Sequence, residues 1–263
     1  MKITSLTNAR VKKIIRLKDR RARNETGLTL IEGVREVERA LAAGEALEEL
    51  YLCRDLLGKF VTDFTALEKA RVPVHEVTPD VFGKMAFGDR REGLLAVCRT
   101  QRKKVKDIEA LKGDLFIIIE NVEKPGNLGA VLRTCDGAGV DAVFVCDTRA
   151  DITSPNVIRA SLGTVFGLNV VQDKEGEVLA FLKKKNARIV ATSPGAERIY
   201  TQEDLKGPLA VVLGSEEKGL EPFWQDHSDV RVKVPMKGVG DSLNVSNTAA
   251  IVIYEVLRQR HAS

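Results

Sequence analysis

The chain alternates short apolar runs with amphipathic stretches in two successive series. In the first, Val11, Ile14, Ile15 and Leu17 recur at helical spacing between basic positions, which predicts an amphipathic helix over 8–17. Gly27 interrupts the polar stretch that follows, and 28–31 is apolar enough for a strand. After Gly33, the positions Val34, Val37, Ala40 and Leu41 predict a helix that ends at Gly44. Strands are expected at 47–53, 73–77 and 93–98, a helix at 60–71, and a short helix from Thr78-Pro79-Asp80. Such alternation describes a small α/β domain.

The second series begins at Asp114. Residues 115–120 form an uninterrupted apolar run, as expected of a strand buried on both faces of a parallel sheet. Helices are predicted at 128–138, 155–161, 175–185 and 222–225, and strands at 142–146, 167–171, 188–192, 209–213 and 230–234. A helix over 248–258, apolar nearly all round at Ile251, Val252, Tyr254, Val256 and Leu257, closes the chain. This spacing predicts a doubly wound parallel sheet. The basic run 99–106 reads as a linker, which divides the chain into domains of 1–105 and 106–263.

Composition adds limits rather than detail. The 263 residues suffice for two domains, and 44% hydrophobic with 30% charged residues describes an ordinary globular protein. No apolar run approaches the roughly 18 to 20 residues of a membrane-spanning helix, and the basic N-terminus lacks the apolar stretch of a signal peptide. No membrane partner is therefore expected. Cys53, Cys98, Cys135 and Cys146 lie far apart with no C-x-x-C pair, so reduced thiols and a cytoplasmic location are expected.

The net charge of +4 says less than its distribution. Arg10, Lys12, Lys13, Arg16, Lys18, Arg20, Arg21 and Arg23 crowd the N-terminus against one acid, Asp19, and Arg99, Arg102, Lys103, Lys104 and Lys106 form a second run. Such clusters suit a phosphate backbone, and equally a solvated helix face with a charged linker.

Three loops, each after a predicted strand, could carry chemistry, because ligands of open α/β sheets sit at the carboxyl ends of strands. The first runs from Asn121 to Thr134, with Gly126 and Gly129 opening a helix, Asn127 placed as its cap, and Arg133 on an otherwise apolar segment. The second runs from Gly214 through Glu216 to Gly219 and is not a P-loop, since the G-x-x-x-x-G-K-[ST] order is missing. The third follows Val234-Pro235-Met236, with Gly238 and Gly240 offering torsions closed to other residues and then Ser242-Leu243-Asn244-Val245-Ser246. One helix cap needs only one of those three polar side chains. Neither His75, His227 nor His261 falls in a loop, and no metal-ligand spacing is present, which disfavours His general-base and metal-assisted chemistry.

Taken in order, Asn127-x-Gly129-x-x-x-Arg133-Thr134, Gly214-x-Glu216-x-x-Gly219 and Pro235-Met236-x-Gly238-x-x-x-Ser242-Leu243-Asn244-Val245-Ser246 resemble the three motifs of the SpoU (TrmH) family. These are S-adenosyl-L-methionine-dependent RNA 2′-O-ribose methyltransferases of the SPOUT class. The segment Ile31-Glu32-Gly33-Val34-Arg35-Glu36-Val37 resembles the RNA substrate-binding domain joined to ribosomal RNA members, which is similar to ribosomal-protein-like RNA-binding domains. The resemblance implies a parallel sheet with a deep trefoil knot, a homodimer through the knotted domain, and no metal. It implies a cofactor pocket at Gly214, Val234 and Leu243, with Leu213, Pro235, Met236 and Gly238 lining the same bend and the glycines leaving room for adenosine. It implies catalytic roles for Arg133, Asn127, Glu216, Ser242 and Asn244, and RNA contacts at Arg10, Lys12, Lys13 and Arg35; among the surplus polar groups that leaves Ser246 to keep the helix cap.

The family arginine is often assigned the hydroxyl proton, yet a guanidinium, with a pKa above about 12, is a poor acceptor. A clamp on the target phosphate is the better physical role for Arg133. The expected substrate is ribosomal RNA. A tRNA ribose methyltransferase, a resistance methylase of the ribosome, and a catalytically silent RNA-binding assembly factor are the alternatives.

Overall fold

The computed structural model describes residues 2–57, 71–88, 92–146, 151–215 and 219–261. Most of the helix expected at 60–71, and Glu216, lie outside the described residues. The chain forms two compact units: Met1–Gln101 with Asp151–Gly167, and Arg102–Ala150 with Leu168–Ser263.

The first unit is built on a mixed sheet of β1 (Lys2–Ile3), β2 (Leu28–Glu32), β3 (Leu47–Leu52), β4 (Val74–Val77) and β5 (Leu94–Arg99), in the order β1-β4-β3-β5-β2. Strand alternation sends Leu95 and Val97 to one face and Leu94 and Ala96 to the other, so the sheet buries both sides. The first face is covered by α1 (Ala9–Arg16), through Val11 and Ile14, and by α5 (Pro79–Met85), through Val81, Phe82 and Met85. The second is covered by α3 (Val34–Ala42), through Val34, Val37 and Ala40. A short α4 (Arg54–Leu57) follows β3.

Two features of this unit escape the pattern. The charged stretch after α1 is itself a helix, α2 (Arg20–Thr26), started by the Asp19 carboxylate accepting from the Arg21 N–H and ended by Gly27 at φ 65°. Residues 151–167 also belong here: Ile158 of α7 (Pro155–Ala160) joins the core under α3, and Thr29 Oγ1 donates to the Thr153 carbonyl at 2.5 Å.

The second unit holds seven strands, every pairing parallel, in the order β10-β12-β9-β11-β6-β7-β8. They are β6 (Leu115–Glu120), β7 (Ala142–Cys146), β8 (Val170–Gln172), β9 (Arg188–Thr192), β10 (Arg198–Ile199), β11 (Leu209–Leu213) and β12 (Val230–Lys233). All residues of β6, β7 and β11 are buried, which explains their unbroken apolar character. Phe116, Phe144 and Phe181 meet with ring centroids 5.3 to 6.2 Å apart, the last from α8 (Glu175–Lys184). Trp224 of α9 (Pro222–His227) lies in the same fully buried cluster.

Two long helices complete the unit. In α6 (Pro125–Gly137) the first residue is proline, Lys124 precedes the helix in extended conformation, and Asn127 is the third helical residue rather than the cap. In α10 (Val245–His261), which packs on α6, the buried apolar stripe runs Val245, Ala249, Val252, Ile253 and Val256. The helix is thus one-sided, with Tyr254 exposed. Its inner face also holds polar groups. Gln259 accepts from the Leu205 amide at 2.9 Å and donates to the Glu203 carbonyl at 3.1 Å.

The basic run at 99–106 is more than a spacer. Lys103 bridges to Val171 beside β8, Lys104 Nζ donates to the Gln172 carbonyl at 2.6 Å, and the Val105 amide donates to Asp173 at 3.0 Å. All four cysteines are buried free thiols, and burial pushes the pKa of Cys98 up to about 12. No helix among the described residues is long and apolar enough to cross a membrane.

Candidate active site

A cavity of about 330 Å³ opens at the carboxyl ends of β9, β11 and β12. Thr192, Ser193 and Pro194 line it from β9, Gly214, Ser215 and Gly219 from the loop after β11, and Val232 and Val234 from β12. Met236, Asp241, Ser242 and Leu243 close it from the following loop, and Val245 and Thr248 from the start of α10. The strand ends bring these loops together because the parallel sheet sets β9 between β12 and β11. Of the residues expected to hold a cofactor, Gly214, Val234, Met236 and Leu243 line the cavity. Leu213 is fully buried at the strand end, and Pro235 and Gly238 are exposed on the loop outside the lining. Thr192, Ser193, Pro194 and Thr248 were not expected there. The only signal for the first three was their place after a strand.

The glycines do not act alike. A Cβ on Gly214 would fall 2.5 Å from the Gly219 carbonyl oxygen, so the loop's own backbone excludes a side chain there. Gly219 takes φ 68°, and it exchanges two backbone hydrogen bonds with Ser215, at 3.0 and 3.1 Å. Gly238 would meet nothing within 4 Å, and neither it nor Gly240 takes a positive φ. The expectation of special torsions at those two positions is therefore wrong; the crowding lies in the second loop, not the third.

Asn244 joins the third loop to the first. Its Nδ2 donates to Asn127 Oδ1 at 3.2 Å, while its own Oδ1 accepts from the Ser246 amide at 2.9 Å and the Ser246 hydroxyl at 2.6 Å. Asn244, not Ser246, is therefore the residue that caps α10, and its carbonyl takes the amides of Asn247 and Thr248. Arg133 sits on α6, exposed, with no hydrogen bond or ion pair among the described residues. A guanidinium left in that state keeps all five donors for an outside anion.

The expected RNA contacts divide. Lys12 and Lys13 are exposed without a partner among the described residues, and with Arg16 they line a groove of about 290 Å³ beside Ala22 and Glu25. Arg10 is tied to Glu49 at 2.6 Å, and Arg35 stands 3.4 Å from Glu36. Two other members of the basic cluster are engaged within the protein. Lys18 donates to the Lys84 and Ala86 carbonyls, and burial lowers its pKa. Arg23 is 5% exposed and pairs with Asp151 at 2.9 Å. No group of three or more His, Cys, Asp or Glu side chains among the described residues could hold a metal ion.

Residues 114–254 match the SpoU rRNA methylase family, and residues 8–96 match the MRM3-like substrate binding domain. The chain belongs to the SpoU rRNA methylase family. It is 27% identical to the 23S rRNA (guanosine(2553)-2′-O)-methyltransferase RlmP of Bacillus subtilis, over 97% of this chain and 98% of that one. It is 32% identical to the 23S rRNA (guanosine-2′-O-)-methyltransferase RlmB of Bordetella pertussis, over 85% of this chain and 94% of that one. A crystal structure described as an RNA 2′-O ribose methyltransferase superposes with a TM-score of 0.82 at 38% identity, covering 99% of this chain and 100% of the other.

Proposed function

We propose that this protein transfers a methyl group from S-adenosyl-L-methionine to a ribose 2′-hydroxyl of ribosomal RNA. The observation that carries the reading is the cavity at three strand ends, whose third loop is fastened through Asn244 to the helix that bears Arg133. The names of the relatives supply the substrate, and the match to a substrate binding domain over residues 8–96 agrees with it.

The cavity fits the cofactor. About 330 Å³ lies within the range of small-molecule pockets, roughly 300–1,000 Å³. The lining is apolar at Val232, Val234, Leu243 and Val245, with hydroxyls at Thr192, Ser193, Ser215, Ser242 and Thr248 to fix orientation. Gly214, Leu213, Val234 and Leu243 would hold adenosine against main chain, and Pro235, Met236 and Gly238 would cover it. When bound, the cofactor supplies an electrophilic sulfonium methyl group. The chain's part is placement: Arg133 grips the target phosphate in a bidentate fork, and Asn127 and Ser242 orient the ribose. The 2′-hydroxyl proton would pass to the phosphate that Arg133 grips, leaving O2′ ready for the methyl group that the cofactor would supply. Glu216 completes the set in this reading.

Four wider features belong to the same proposal. Residues 1–105 act as the RNA-binding domain, with Arg10, Lys12, Lys13 and Arg35 facing the RNA. Residues 106–263, apart from the segment 151–167 that belongs to the first unit, form the catalytic domain, knotted where the chain leaves β12 beside β9 and returns to pack α10 on α6, the helix after β6. The protein is a homodimer, a reading favoured by exposed Val239 and Met236 on the loop that closes the cavity and by exposed Tyr254 on α10. It works in the cytoplasm.

The test is to map 2′-O-methyl sites in total RNA from cells with and without the protein, alongside methylation by purified protein with labelled cofactor. Loss of one ribosomal RNA site, restored by the purified protein, is the expected result. If no site changes and no label enters RNA, the protein is an assembly factor instead.

A further inference from the structure

The end of β6 carries a group without a task so far. Glu120 is fully buried, on the strand face shared by Phe116 and Ile118. Its Oε2 accepts the Glu221 backbone N–H at 2.9 Å, and its Oε1, equally buried, has no hydrogen-bond partner among the described residues. Its strongest charged neighbours are acids: Glu175, opening α8, and Glu221, just ahead of α9. Beside it, Asn121 at φ 50° donates from Nδ2 to Glu221 Oε1 at 3.0 Å. Consecutive residues at one strand end thus hold both the amide and the carboxylate of Glu221. That strand end leads into Asn127 and Arg133. Glu221 itself stands two residues after Gly219, which lines the cavity.

We propose that Glu120 is a positioning residue: its protonated carboxyl group, with Asn121, clasps Glu221 and so fixes the cofactor side of the cavity to the strand end that carries the catalytic helix. The inference rests on the cofactor reading given above. An ionised carboxylate here would be buried beside two acids, an uncompensated charge in a poor dielectric. A proton on Oε1 removes that charge while Oε2 keeps the Glu221 amide. Burial first, and then the Glu175 carboxyl, close enough to share the proton, and the charges of Glu175 and Glu221 push its pKa up to about 8, against the pull of the amide hydrogen bond. Above that pH a second negative charge faces Glu221, and the clasp loosens.

Calorimetric titration of S-adenosylmethionine into the full chain, from about pH 6.5 to about 9.5, tests this. The cofactor's own α-amine titrates near about 8, so the wild type must be read against Glu120→Gln, which keeps the shape without the ionisation. The expected result is a several-fold greater loss of affinity above pH 8 in the wild type than in Glu120→Gln. Glu120→Ala should bind several-fold more weakly at every pH, with Gln rescuing it. Should the alanine variant fail to fold, Asn121→Ala removes the other bond to Glu221 and should weaken binding while keeping the pH dependence. Matching pH profiles for wild type and Gln, or undiminished binding by Asn121→Ala, would overturn the clasp. Absence of any binding by the wild type would overturn the cofactor reading itself, and the clasp with it.

Discussion

Asn244 shows how one side chain can serve fold and site together. Its Oδ1 caps α10 and its Nδ2 reaches Asn127, so the two ends of one amide can be separated by substitution. Asn244→Asp keeps an acceptor at a helix N-terminus, where negative charge is favourable, and loses the donor to Asn127. Its melting temperature should stay near the wild type while methyl transfer falls. Asn244→Ala loses the cap as well and should cost about 1 kcal/mol of stability. Equal activity in Asp and wild type would detach the Asn127 contact from catalysis. Arg133 poses the complementary question, since nothing among the described residues holds it. If it grips phosphate with two donors, Arg133→Lys should lower kcat/KM about 10- to 100-fold with stability unchanged. A near-wild-type rate in single-turnover kinetics would remove the bidentate clamp. Glu120 adds a stability signature. Its raised pKa means that its contribution is fully present below the ordinary carboxyl range and is lost as pH rises through about 8.

At the scale of elements, the informative piece is the segment 151–167. Its sequence promises one short helix, yet it buries Asp151, Thr153, Ser154, Ser161 and Thr164 along with Ile158. Such polar burial is tolerable only when paired. Asp151 Oδ2 takes Nε and Nη2 of Arg23, and its Oδ1 takes the Thr153 amide and hydroxyl. Burial works against ionisation of Asp151, but the hydrogen bonds from Thr153 and Arg23 outweigh it and hold its pKa below the ordinary value. The stabilisation from this group is therefore present above the unfolded carboxyl pKa and lost as pH falls through the lowered folded one. Asp151→Ala strands a buried guanidinium and should cost about 3–5 kcal/mol. Asp151→Asn should flatten the acid limb of stability against pH in urea melts. An unchanged acid limb would show that the pair contributes nothing to folding.

For the molecule as a whole, the same segment means that the first unit is discontinuous in sequence. A chain ending at residue 101 would leave Arg23 buried without Asp151, and the sheet face under α3 without Ile158. Such a fragment should melt broadly and bind hydrophobic dye. A peptide of residues 151–167 added in trans should sharpen the transition. A fragment that melts cooperatively without it would mean the segment decorates the unit rather than completing it.

Patterning alone determined much of this protein. The long apolar strands, the amphipathic α1 and α3, and the three glycine-bearing loops follow from local rules that need no partner. Only the tertiary structure decided what those rules leave open. Asn127 and Asn244 stand 117 positions apart, and nothing in either neighbourhood announces their hydrogen bond. Two-residue strands such as β1 and β10 exist only because a neighbour offers a ladder. Arg23 looks like any surface arginine until a residue 128 positions away neutralises it in the interior. Glu120 reads as the polar end of a strand, and only its burial beside two acids makes it a proton-holding clasp. Charge and hydrogen-bonding capacity are written in the residue type. The dielectric and the partner that give them meaning come from distant parts of the chain.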